Sequence, residues 1–251
     1  MNNELMVGIV NKDKEFLIPL PSLKSYLEQH KEDNMPTIII KIQSLNDESL
    51  KIIKNNGDFE TFNTTIDSLS DKNVKLQLDI LLGLPYETIE SYYTLLRFII
   101  HKMFMGNHSV SPNILKILPN TDMMMIAEEK GFKMDTRYKD NQDTVYATQT
   151  MPRKHFIDCL QMTAVLYKIF GSRDINQEIK LKDKFFMLQE ELKVKRLSLL
   201  CELTDRIKEI LPSNSNYNYF EDSENYLLTG FNEEYSDEEL IKLMMDVIEN
   251  G

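Results

Sequence analysis

The spacing of apolar residues along the chain alternates between two periods. Residues 37–42 read Thr-Ile-Ile-Ile-Lys-Ile, β-branched and nearly continuous in apolar character, as a strand buried on both faces should be. Ser44 and Asp47 then supply a Ser-x-x-Asp capping signal for a helix over 44–54, and a second helix is predicted over 58–69. Residues 74–82 form the next strand, closed by Gly83-Leu84-Pro85, where proline stops the ladder and glycine permits a sharp turn. Thr88 is placed to cap a helix carrying Ile89, Tyr92, Tyr93, Leu96, Phe98 and Ile100. A third strand is predicted over 113–118, ending at Pro119-Asn120-Thr121, followed by a helix over 123–130 that Gly131 terminates. Three strand–helix units in succession are the pattern of parallel β/α architecture with right-handed crossovers.

The pattern differs at both ends. Residues 1–34 hold two short apolar stretches, 5–10 and 16–20, then Pro21-Ser22 and a helix-like run over 23–30. Beyond residue 135, Pro152 suits a first helical turn, and that helix should run to Phe170 with Gly171 past its end. One long amphipathic stretch is predicted over 175–211, with Phe185, Leu188, Leu192, Leu199, Leu203, Ile207 and Ile210 spaced by three, four or seven. The pairs Glu178 with Lys182, Glu191 with Lys195 and Glu202 with Arg206 should add modest i,i+4 support. Pro212-Ser213-Asn214 reads as a linker into a tail whose final helix starts at Ser236 or Asp237.

Charge and composition narrow the function classes. The 251 residues, 42% hydrophobic and 27% charged, are enough for one large or two modest domains. The net charge is -11, and residues 214–251 carry ten acidic groups against one lysine, so the acidity belongs to the tail. An acidic surface repels phosphate backbones, and no basic stripe with interleaved aromatics appears, so nucleic-acid binding is disfavoured and no nucleic-acid partner is expected. No apolar run reaches the roughly 18–20 residues of a membrane span, and residues 1–4 lack the basic flank of a signal peptide. The expectation is a soluble, cytoplasmic protein. Cys159 and Cys201 form no Cys-x-x-Cys. His155 and Cys159 lie four apart, but two ligands make no metal site. Met123-Met124-Met125 reads as core packing. No nucleophile elbow, phosphate loop or zinc-protease motif occurs.

Three motifs carry a resemblance. Ile42-Gln43-Ser44-Leu45-Asn46-Asp47, Gln77-Leu78-Asp79-Ile80-Leu81-Leu82-Gly83-Leu84-Pro85-Tyr86-Glu87-Thr88 and Leu118-Pro119-Asn120-Thr121 follow in that order. With Ala127-Glu128-Glu129-Lys130-Gly131 and the helix from Pro152, the chain over 36–171 resembles the second half of radical S-adenosylmethionine enzymes that carry a cobalamin-binding domain. The resemblance implies an α/β fold: a partial, half β/α barrel with parallel strands, followed by a helical C-terminal region. The corresponding domains are an N-terminal cap segment over 1–34, the partial barrel over 35–171, a long helical region over 172–212 and an acidic tail over 213–251.

Family members bind their iron–sulfur cluster through Cys-x-x-x-Cys-x-x-Cys in the other half of the barrel, and two distant cysteines cannot substitute. The Asp-x-His-x-x-Gly signature that ligates cobalamin is absent around His30, His101, His108 and His155. Neither an iron–sulfur cluster nor cobalamin is therefore expected on this chain, and S-adenosylmethionine should bind weakly. By the resemblance Gln43 and Asp79 approach the ribose hydroxyls of that cofactor, Leu115 and Leu118 flank its adenine, and Ser44 and Gly83 are further cofactor-binding candidates. Alternatively, Asp79 orients a turn and Gln43 satisfies buried backbone groups. Tyr86 and Asn120 stand where the family usually has glycine, and Lys41 where another would precede Gln43, so the turn after Pro85 should be remodelled. The implied function is a truncated homologue without catalysis of its own, acting beside a complete enzyme or a peptide substrate. Alternatives are a subunit of a split enzyme and a decayed gene product. Residues 1–20 should cover the open edge of the strand over 37–42, or self-association must do so.

Overall fold

The computed structural model describes residues 6–11, 14–29, 36–55, 57–70, 74–106, 108–135, 143–171, 175–210 and 237–250. The linker at 212–214 and the acidic stretch before residue 237 lie outside them. The chain is α/β, with one mixed five-stranded sheet and one small antiparallel sheet.

β1 (Met6–Asn11) and β2 (Lys14–Pro19) form an antiparallel hairpin, followed by α1 (Leu20–Gln29). β3 (Thr37–Gln43), β4 (Lys75–Leu82) and β5 (His108–Ile114) are parallel neighbours, so the sheet order is β2-β1-β3-β4-β5. Helices α2 (Asp47–Ile52) and α3 (Phe59–Ser70) connect β3 to β4, and α4 (Ile89–Met105) connects β4 to β5. The expected covering of β3 is present: Gly8, Ile9 and Val10 of β1 pair with Ile39, Ile38 and Thr37. β1 alone therefore runs against the other four strands, and the outer edge has moved to β2.

Side chains alternate across a strand, so register separates the two faces of the sheet. Ile38, Ile40, Ile42, Leu76, Leu78, Ile80 and Leu82 share a fully buried face, in one core with Phe62 and Ile66 of α3 and Tyr92, Leu96 and Ile99 of α4. The opposite face is polar and half-exposed, through Lys41, Gln77, Asp79, Ser111 and Asn113. β3 is thus not buried on both faces as its composition suggests, because Lys41 is exposed.

The predicted third strand lies earlier, at His108–Ile114 instead of 113–118. β5 ends at Ile114, after which Leu115 donates its N–H to Leu82 (2.8 Å) and accepts from Val145 (3.0 Å), carrying the chain into a second sheet. That sheet comprises β6 (Lys116–Ile117), β7 (Lys133–Asp135) and β8 (Asp143–Ala147) in the order β6-β8-β7, with α5 (Asp122–Glu129) between β6 and β7. β7 and β8 were not foreseen, since three and five residues carry too short a pattern to read.

α6 (Arg153–Phe170) packs on α4, where Tyr92 Oη and Thr163 Oγ1 lie 2.8 Å apart. The predicted single helix over 175–211 is two, α7 (Ile175–Leu192) and α8 (Arg196–Ile210), broken at Lys193 with φ 53°. Glu191 and Lys195 fall on opposite sides of that break, so their expected helical pairing is lost. Phe170, Phe185 and Phe186 meet edge-on or tilted where α6 and α7 join. α9 (Asp237–Asn250) seats Leu240 and Met244 in the same core. No helix among the described residues is long and apolar enough to cross a membrane.

Candidate functional site

In a parallel β/α sheet, the loops after the strand C-termini are the natural place for a site. Here they are the β3–α2 loop with Gln43 and Ser44, the β4–α4 loop with Gly83 to Thr88, and the exit of β5 at Leu115. Each candidate residue is held there by a distinct local cause.

Ser44 is fully buried and does not cap α2. Asn46 is the cap, its Oδ1 accepting from the N–H of Glu48 (3.0 Å) and Ser49 (3.1 Å). Ser44 instead donates its hydroxyl to Glu87 Oε2 and accepts from the N–H of Asn46 at 2.9 Å. Ser91 donates to the other oxygen, Oε1, while closing a reciprocal capping box with Thr88 at the start of α4. Glu87 is 0% exposed, and burial pushes its carboxyl above the usual range against the opposing pull of the two serines. A buried carboxyl thus ties the β3–α2 loop to the β4–α4 loop. Thr150 adds the segment before α6, donating to the Glu87 carbonyl at 2.8 Å.

The same loops are bound together at Pro85 and Tyr86. Ser49 donates to the Pro85 carbonyl (2.6 Å) and Asn46 Nδ2 to the Tyr86 carbonyl (3.2 Å). Tyr86 and Asn120, which the resemblance places at glycine positions, have φ 63° and 61°; Lys41 lies within β3 and Gln43 has φ 62°. Left-handed backbone costs a tyrosine roughly 1–2 kcal/mol. Gly83 has φ 100°, and a Cβ there would lie 3.2 Å from Phe156 and 3.3 Å from Val145. Its missing side chain therefore admits α6 and β8.

Gln43 and Asp79 are on adjacent strands but engage different partners. Gln43 Oε1 accepts from Asn55 Nδ2 at 3.0 Å, and the same amide donates to the Lys41 carbonyl. Asp79 lies on the polar face opposite Lys41 and beside Ser111, with Gln77 Nε2 donating to its Oδ1 at 3.0 Å. Burial raises its carboxyl, opposed by Gln77 and the Lys41 charge. Leu115 is buried, whereas Leu118 is 47% exposed. Ser44 and Gly83 are thus engaged by the protein itself, and the polar chemistry turned outward is that of Gln43, Asp79 and their sheet neighbours.

Among the described residues, no group of three or more His, Cys, Asp or Glu is placed to hold a metal. Cys159 is buried and His155 exposed, so their four-residue spacing does not bring them to one accessible site. Burial also raises the Cys159 thiol, which keeps it from being a thiolate nucleophile. Glu87 was missed as a functional residue because its partners, Ser44 and Ser91, are far from one another in sequence. No family model and no curated protein matches this chain.

Proposed function

We propose that this chain is an accessory or binding protein built on half of a radical S-adenosylmethionine-type barrel, without catalysis of its own. The observation that carries the reading is the pairing of β1 with β3. In the alternative, a split enzyme, cluster-bearing strands from another chain would have to join β3 along that same edge. Backbone hydrogen bonds along an edge serve one neighbour, so β1 competes directly with such strands.

Two further features support the reading. The face carrying Lys41, Gln77, Asp79, Ser111 and Asn113 corresponds to the inside of a barrel, where polar groups meet a ligand, and here it is left half-exposed. Left-handed backbone at Tyr86 and Asn120 matches positions that glycine occupies in the family. The partner in this reading is a complete enzyme of that family or its peptide substrate, met at the polar face and the neighbouring loops.

Calorimetric titration of the full chain with S-adenosylmethionine separates the two readings. Weak or absent binding, indifferent to Asp79→Ala, is expected. Tight binding that Asp79→Ala abolishes would overturn the accessory reading and favour the split enzyme.

A further inference from the structure

We infer that the cavity at the start of α6 is an anion site for a small phosphate-bearing molecule. It measures about 610 Å3 and is lined by Glu129, Lys130, Lys133, Tyr146, Pro152 and Arg153, among others. That volume is in the range of small-molecule sites, roughly 300–1,000 Å3. Among its described lining residues, three cations stand against one carboxylate, on a chain whose net charge is -11. Another cavity, about 460 Å3 near α2, balances Lys51 and Lys54 against Asp47 and Asp58 among its described lining residues. Of these two, the described lining of the first carries the excess of positive charge that an anion would neutralise.

The local sequence at α6 runs against helix electrostatics. The N-terminus of a helix carries partial positive charge and is normally followed by acidic residues or capped by an acceptor side chain. This 18-residue helix begins after Pro152, which offers no side-chain acceptor, and its first turn holds no acidic residue. Arg153, Lys154 and His155 stand there instead. Glu90 of α4 is the carboxylate that His155 meets, and a bound anion beside Arg153 would be favoured at the positive end of the helix dipole.

Aromatic faces hold the cations in place around the cavity. The Arg153 guanidinium lies over the Tyr146 ring at 5.9 Å, and the Lys130 ammonium over the Tyr86 ring at 5.3 Å while pairing with Glu129 at 2.8 Å. Lys133 enters from β7, so the positive groups come from three separate elements. A phosphate group, with nearly two charges and several acceptor oxygens, can satisfy more than one of them at once. The site is independent of the β3–β5 face and stands or falls apart from the function proposed above.

The test is calorimetric titration of the full chain with inorganic pyrophosphate at low ionic strength, against sodium chloride of matched strength and against citrate. Saturable one-to-one binding is expected, weakened about tenfold by Arg153→Gln and by Lys133→Gln, the loss expected for one charge-assisted contact. Lys51→Gln, in the other cavity, should leave it unchanged. Lys133 is exposed, so its variant carries the test if Arg153→Gln perturbs the helix, with circular dichroism as the check. Absence of saturation, equal weakening by Lys51→Gln, or tighter binding of citrate than of pyrophosphate would each overturn the assignment.

Discussion

Replacing Glu87 with alanine should loosen the two strand-end loops at once. The side chain is 0% exposed and receives one hydroxyl from Ser44 and one from Ser91, so truncation removes both bonds and leaves the buried Ser44 hydroxyl without its acceptor. Hydrogen bonds to a charged group contribute about 1.5–3 kcal/mol each, and relief of the carboxylate's burial offsets part of that, leaving an expected loss of about 2–4 kcal/mol. Glu87→Gln keeps the shape and can donate to Ser91, whose hydroxyl has the Thr88 carbonyl as an alternative acceptor at 3.0 Å. It should therefore cost less than about 1 kcal/mol at neutral pH. The pH dependence has a definite sign. Burial raises the folded-state value above the unfolded one, so the native state holds the extra proton between the two. Wild-type stability from this group is then fully present below the ordinary glutamate range, about 4.3, and declines as pH rises through the raised value. The Glu87→Gln variant lacks that decline and should gain on the wild type across the window. Urea unfolding at several pH values measures all three effects. An alanine variant within about 0.5 kcal/mol of wild type, or a glutamine variant as unstable as alanine, would refute the latch.

Four other outcomes are expected. Removing residues 1–20 uncovers the edge of β3 and should produce aggregation or a new oligomer in light scattering; an unchanged monodisperse mass would count against the covering role of β1. Gly83→Ala puts a Cβ against Phe156 and Val145 at φ 100° and should cost about 1–3 kcal/mol in thermal or urea unfolding. Asp67→Asn removes the charge partner of the buried Lys102 ammonium and should cost about 1–3 kcal/mol, again read by urea unfolding. Anaerobic reconstitution with iron and sulfide should yield no stoichiometric cubane, and a reduced-cluster electron resonance signal from the chain alone would contradict the reading of its two cysteines.

Local pattern was enough to place much of the framework. The cap at Thr88, the stop at Gly131 with φ 61° and the helix from Pro152 to Gly171 depend on a few adjacent residues, and each is legible because its physics is local. Even the pairing of β1 with β3 followed from sequence, since an Ile-rich edge needs a partner and only two upstream stretches had the composition to supply one. Tertiary structure decided what depends on distant neighbours. Ser44 was readable as a helix cap, but a buried carboxyl 43 residues away claims its hydroxyl. The strand predicted over 113–118 divides at Leu115 because its backbone bonds to Leu82 on one side and Val145 on the other. The helix predicted over 175–211 breaks at Lys193 even though its apolar spacing continues, since periodicity reports which face is buried and not whether the axis is continuous. The positive cavity likewise gathers Lys130, Lys133 and Arg153 from three elements, and no spacing in the sequence brings those charges together.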